Sequence, residues 1–211
     1  GRDFSINAIN ASRNSADSLI FVTTQIEDNI KDIQVSDLYK IGSLCRIVSY
    51  SDRENSIKIR IEVIERVSLK KIFFDEENRY FTGEGTILPT LKAEDKDDLE
   101  IVDTLSKAIS NSPSLLNRLP KNIHNMLFQK GEGVNLCYAV ASFIDAPIKD
   151  KQALLEIEKP FDLLDKLIGF VSFENTHDEI ERKINEDVRE STEKSQKEYF
   201  LREKSKAVKK E

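Results

Sequence analysis

After Gly169 the chain contains neither glycine nor proline. These are the two residues that most often interrupt a helix, so nothing local stops the remaining residues from running as one. Residues 176–211 read as a single long helix. A capping box of Thr176 with Glu179 marks its start, and no stop signal follows. At about 1.5 Å per residue, such a helix reaches roughly 54 Å, more than the width of a small domain. A helix of that length with little apolar surface has to connect things.

The apolar positions on it are sparse. Ile180, Ile184 and Val188 make one narrow stripe, and Tyr199, Phe200 and Leu201 stand together further on. A polar helix leans on ion pairs. Here Asp178–Arg182, Glu179–Lys183, Glu190–Lys194, Glu193–Lys197 and Glu198–Arg202 are all acid-first at i,i+4, each worth about 0.2–0.5 kcal/mol in an isolated helix. Residues 176–193 carry seven acids and three bases; residues 194–211 carry three acids and seven bases. That order suits the helix dipole at the two ends. Consecutive apolar residues on a helix point in different directions, so one groove cannot hide Tyr199, Phe200 and Leu201 together. They are the expected contact with a partner chain or a following domain.

The rest of the chain divides by hydrophobic period near residue 90. Before it, strand signals dominate: 19–23, 41–50, 69–74, 80–88, and above all Ile57, Ile59, Ile61 and Val63 alternating with Lys58, Arg60 and Glu62. Polar turn clusters stand at 52–55 and 75–78, and a short helix is expected over 5–15. Short, regularly spaced strands of this kind suggest a small antiparallel barrel or sandwich. After Pro89 the period becomes helical, with Ser112-Pro113 as an N-cap followed by proline and further segments over 120–128, 134–143, 151–156 and 160–171. The fold class is therefore α+β: a mostly antiparallel β-subdomain over 1–90, a helical bundle over 91–175, and the long helix over 176–211.

With 211 residues, 39% hydrophobic and 33% charged, the chain can bury one good core or two modest ones. The net charge of −6 lies wholly before the long helix, which argues against general nucleic-acid binding. Nucleic acid or polyphosphate is accordingly not an expected partner, and no apolar run is long enough for a membrane helix. Cys45 and Cys137 match no metal spacing and fit buried free thiols in a reducing, cytoplasmic setting. His124 and His177 lack a second ligand nearby. Gly83-Glu-Gly85 and Gly131-Glu-Gly133 lack the lysine and hydroxyl of a phosphate loop, and read as a strand irregularity and a helix break. The acids at 94–98 read as the favourable first turn of a helix. No catalytic residue, cofactor site or metal site is expected. Phe73 and Phe74, with Tyr80 across the turn, are the candidate sticky patch for unfolded segments; one of the two phenylalanines should face outward.

Certain segments also resemble a known family. Ser-Gln-Lys-Glu-Tyr-Phe-Leu-Arg-Glu-Lys-Ser-Lys-Ala-Val-Lys-Lys-Glu at 195–211 is similar to the long-helix signature of the ATP-dependent Lon protease. Lys-Gln-Ala-Leu-Leu-Glu at 151–156 resembles that family's helical subdomain. Asp-Leu-Tyr-Lys-Ile-Gly at 37–42, the strand at Arg66, and Gly1-Arg2 with Ser5 and Ala8 resemble its β-subdomain. The resemblance covers the whole chain, as an N-terminal fragment open at both ends. It departs from the family in lacking the opening strand pair, which leaves a sheet edge incomplete or filled by a neighbour, and in placing Glu65 where glycine commonly precedes the Arg66 position. The resemblance implies a non-catalytic region that recognises unfolded or damaged proteins and supports a hexamer, self-associating through the long helix. The ATP- and Mg-dependent ATPase module and the Ser–Lys protease module are expected beyond Glu211. The alternative is a stand-alone interaction adaptor with a dimerising helix.

Overall fold

In the computed structural model, residues 2–27, 29–53, 56–127 and 131–208 are described, with side chains except at 53, 56 and 202–208. The chain forms two compact units. One comprises Gly1–Lys92 with Pro147–Asp162, the other Ala93–Ala146 with Leu163–Glu211. The turn at 54–55, the end of the 120–128 segment and residues 209–211 lie outside the described residues.

The first unit is built on helix α1 (Asp3–Asn14) and strands β1 (Leu19–Val22), β2 (Ile41–Arg53), β3 (Ser56–Asp75) and β4 (Tyr80–Ile87). The strands form one antiparallel sheet in the order β1-β2-β3-β4. It is an open sheet rather than the barrel or sandwich that the strand spacing suggests. The reason lies in strand length. The segments expected as separate strands around Ile59 and around Phe73 are one 20-residue strand, β3. Two bulges, opposite Leu44/Cys45 and at Leu69/Lys71, let it bend without breaking. A Cβ at Gly83 would collide with the Lys71 carbonyl oxygen at the second bulge, so only glycine allows this approach.

Helix α6 (Ile148–Leu155) belongs to this sheet unit and not to the helical bundle in which its period places it. Two long side chains make the connection. Arg66 donates from Nη1 to the carbonyls of Leu155 (2.8 Å) and Ile157 (2.7 Å), and from Nη2 to Pro89 (3.0 Å). Gln152 Nε2 donates to the Ile41 carbonyl at 2.9 Å. Arg66 thereby satisfies carbonyls at the C-terminal end of α6 that the helix cannot pair internally. Replacing it with methionine keeps the stem but removes three charge-assisted bonds. The expected loss is about 2 kcal/mol in urea unfolding, and lysine, a single point donor, should restore less than half of it.

The second unit contains helices α2 (Asp95–Ser110), α3 (Pro113–Arg118), α4 (Lys121–Met126), α5 (Gly133–Ala141) and most of α7 (Pro160–Val208). Its core is mainly apolar: Ile101, Leu105 and Ile109 from α2, Leu115 from α3, Leu136 and Val140 from α5, and Leu163, Leu167 and Val171 from α7 are all buried. Each such side chain contributes about 1.5–3 kcal/mol of transfer free energy. Ser112 does precede Pro113 as the N-cap of α3, but its hydroxyl makes no capping bond; the Oγ is buried without a partner among the described residues.

The start of the long helix differs from the expectation. α7 is one helix of 49 residues from Pro160, about 70 Å long, and Thr176 lies in its interior. The Thr176 hydroxyl donates to the Ser172 carbonyl at 3.0 Å, four residues back, instead of capping a new N-terminus. Nothing between Gly169 and Thr176 breaks the helix, and Val171 and Glu174 continue its buried face. Beyond Glu174 almost every described side chain is exposed up to Leu201. Among the described residues of this stretch, Arg189–Glu193 closes as an ion pair, base first. Among the described residues the acid-first pairs Asp178–Arg182, Glu179–Lys183, Glu190–Lys194 and Glu193–Lys197 do not close, as befits exposed pairs whose Coulomb gain is small; Glu198–Arg202 lies outside the described side chains.

Candidate functional site

The β3–β4 turn orients the aromatic candidates. The Asp75 carboxylate accepts the backbone N–H groups of Glu77 (3.0 Å) and Asn78 (2.9 Å) and the Asn78 side-chain amide (2.8 Å). These bonds favour the ionised form, so the Asn78 side chain first and its backbone next hold Asp75 below its usual pKa. Arg79, at φ 58°, completes the turn. The resulting register pairs Asp75 with Tyr80, Phe74 with Phe81 and Phe73 with Thr82.

Alternation along β3 then separates the two phenylalanines. Phe74 packs edge-on against Phe81 (5.1 Å between centroids), which packs edge-on against Phe4 of α1 (5.3 Å). Phe73 faces the other way and is 51% exposed. Tyr80 is half-buried and shares the Phe73 face by register. Phe74 is therefore part of a half-buried aromatic cluster, and Phe73 is the outward-facing ring. Two aliphatics of the same unit are exposed: Val63 (63%), which the alternation with Ile57, Ile59 and Ile61 would place on a buried face, and Ile87 (58%). Between α1 and the sheet lies an open cavity of about 410 Å³, bordered by Ala8, Ala11, Leu19, Phe21, Ile72 and Phe81.

On α7, Tyr199, Phe200 and Leu201 are exposed by 69%, 64% and 64%, as three successive positions on a polar helix require. Phe173, also on α7, is the most exposed large apolar side chain among the described residues, at 73%.

The described residues hold no group of three or more His, Cys, Asp or Glu side chains able to bind a metal ion. Half-buried His124 and exposed His177 stand on separate helices, α4 and α7. Cys45 and Cys137 are buried free thiols. Burial, and secondarily the charge of Asp98, push the Cys137 thiol up to about 12; burial alone raises Cys45. A thiol held neutral is a poor nucleophile. It also makes stability depend on pH. The folded chain keeps the Cys137 proton above pH 9 while the unfolded chain releases it, so stability falls as pH rises from about 9 to about 12. Within that window the slope should be about 1.4 kcal/mol per pH unit steeper than in Cys137→Ala, measured by urea unfolding of both chains. Among the described residues no helix is long and apolar enough to cross a membrane.

This combination, an open antiparallel sheet joined to a helical unit that ends in a long polar helix, defines an α+β class for which solved relatives exist. The N-terminal domain of Mycobacterium avium complex Lon protease superposes with a TM-score of 0.62 over 82% of this chain and 87% of that one, at 16% identity, which establishes the shared fold. In sequence, the Lon protease of Acinetobacter baumannii is 30% identical over the whole chain, and Lon protease 1 of Bacillus subtilis 28%. These matches cover 26% and 27% of the two relatives, so the chain spans about a quarter of their length. Residues 1–172 match the family described as the ATP-dependent protease La (LON) substrate-binding domain, and the chain belongs to that family.

Proposed function

We propose that this chain is the substrate-engaging region of a Lon-type, ATP-dependent serine endopeptidase. It captures exposed apolar segments of unfolded or damaged proteins and passes them to the ATPase ring of a hexamer. ATP hydrolysis with Mg, and peptide-bond cleavage, belong in this reading to other parts of the parent protein, which works in the cytoplasm. The observation that carries the proposal is the family match over 1–172 together with an outward-facing Phe73 on the sheet unit. Val63 and Ile87 add exposed apolar surface to that unit, and Tyr80 shares the Phe73 face. Single side chains of this kind give weak contacts, so affinity in the parent assembly would come from repetition around the ring. Tyr199, Phe200 and Leu201 serve partner or interdomain contact, and α7 mediates self-association.

Phe73→Asp tests the recognition role. The side chain is half exposed and faces away from the half-buried aromatic cluster, so the variant should keep its fold within about 0.5–1 kcal/mol. Its affinity for a reduced, carboxymethylated protein that stays unfolded in native buffer should fall about tenfold. Undiminished affinity in the folded variant removes Phe73 from the binding surface.

A further inference from the structure

β3 extends well past the strand that flanks it. Its register with β4 runs from Asp75 back to Val67, and the Leu88 N–H still donates to the Arg66 carbonyl at 2.8 Å. Among the described residues no strand pairs with 57–65 on that side, where β3 pairs with β2 alone. This leaves an open edge roughly 30 Å long, at about 3.4 Å per residue. Every second residue on it turns its N–H and C=O away from β2, toward the open side.

The two faces along this edge differ. Ile57, Ile59 and Ile61 form a half-buried apolar row beside Tyr50 and Ile47 of β2. Lys58 and Arg60 stand exposed on the other face, opposite Ser51 and Ser49, which bring no charge. Glu62, the next residue on that face, is taken by Arg46 at 3.8 Å. Lys58 and Arg60 are left without an acidic partner among the described residues. Residues 57–63 contain no proline, and the β-branched Ile57, Ile59, Ile61 and Val63 favour the extended form.

We propose that this edge docks an extended segment of a protein substrate in which acidic and apolar residues alternate. The proposal rests on the recognition reading above and names the substrate class. Added as a further strand, such a segment pairs with the free backbone groups of β3. Its acidic side chains then lie beside Lys58 and Arg60, and its apolar side chains beside Ile57, Ile59 and Ile61. The main-chain bonds require a segment whose own N–H and C=O groups are free, and a folded protein has already paired them. The edge thus distinguishes unfolded from folded chains through the backbone, and acidic–apolar alternation through its two faces. Phe73 pairs across to Thr82 of β4 and is not part of this edge.

Fluorescence anisotropy with the 211-residue chain tests the proposal. The probe is a short labelled peptide in which glutamate and valine alternate. It should bind saturably, and more weakly as salt rises. The same peptide with lysine in place of glutamate should bind about tenfold more weakly, because attraction at two cross-strand pairs becomes repulsion. Lys58→Glu/Arg60→Glu should reverse that preference. Both side chains are exposed, so circular dichroism and urea unfolding of this variant should match the parent. Hydrogen exchange should slow at every second amide of 57–63 when the glutamate peptide binds. No binding of that peptide, equal binding of the two peptides, a preference unmoved by the double reversal, or protection confined to other strands would each overturn the proposal. Phe73→Asp should leave the peptide affinity unchanged. A chain that binds a reduced, carboxymethylated protein but not the peptide overturns the edge alone, whereas one that takes the peptide but no unfolded protein overturns the recognition reading.

Discussion

Replacing Asp98 with alanine is expected to destabilise the helical unit by about 2–3 kcal/mol, chiefly through the buried Gly133 N–H left without an acceptor and secondarily through the part-buried Gly131 N–H. Asp98 is buried in the first turn of α2. Its Oδ2 accepts the Gly131 N–H at 2.6 Å and its Oδ1 the Gly133 N–H at 2.7 Å. One carboxylate thus closes the break before α5 and sets a negative charge at the N-terminus of that helix, where the dipole favours it. Asp98→Asn should not rescue the loss. The two N–H groups address different oxygens of the carboxylate, and the amide keeps an oxygen at one of these places only, so its NH2 group would face the other donor. The glycines are part of the same clasp. A Cβ at Gly133 would lie 2.8 Å from Asp98 Oδ1, and Gly131 holds φ +84°, a conformation that side chains resist. Urea unfolding gives the magnitude, and hydrogen exchange at the Gly131 and Gly133 amides locates it. Stability within about 0.5 kcal/mol of the parent in Asp98→Ala would show that water replaces the carboxylate at no cost.

The second large effect is asymmetric. Glu174 is the last buried residue of α7 among the described residues, following Leu163, Leu167 and Val171 on the core face. Its Oε1 accepts a bond from Arg118 Nη2 of α3, and its Oε2 is buried with no hydrogen-bond partner among the described residues. Arg118→Ala strands a buried carboxylate and is expected to cost about 3 kcal/mol, at the lower end for a buried pair because Arg118 itself is partly exposed. Glu174→Leu instead extends the apolar face by one turn and removes the unsatisfied oxygen. It should be neutral or stabilising by about 1 kcal/mol. Urea unfolding of both variants checks the pair. Equal destabilisation by the two substitutions would mean that the ion pair itself, rather than the desolvated acid, decides the energetics.

These two sites also show where local sequence reading stops. The change from period two to helical period near residue 90 and the alternation around Ile59 follow from side-chain geometry within a few residues, and both are seen in the structure. Asp98, by contrast, is indistinguishable in sequence from its acidic neighbours in the helix's first turn. Its role depends on amides 33 and 35 residues away. α6 joins the sheet unit through Arg66 and Gln152, whose partners lie about ninety or more residues distant. Thr176 and Glu179 satisfy the wording of a capping box, but a cap forms only where the backbone leaves the helix, and packing at Val171 and Glu174 keeps it in. Among the aromatic candidates, alternation correctly separates Phe73 from Phe74. Which of them turns outward depends on Phe4 and Phe81, which no local pattern reveals.

Binding of the 211-residue chain to one protein in two states tests the central claim most directly. The reduced, carboxymethylated form and the native form would be titrated under identical buffer, with fluorescence anisotropy or calorimetry as the readout. Recognition of exposed apolar segments predicts saturable binding to the unfolded form and none to the native form. Equal binding to both, or none to either, would contradict it.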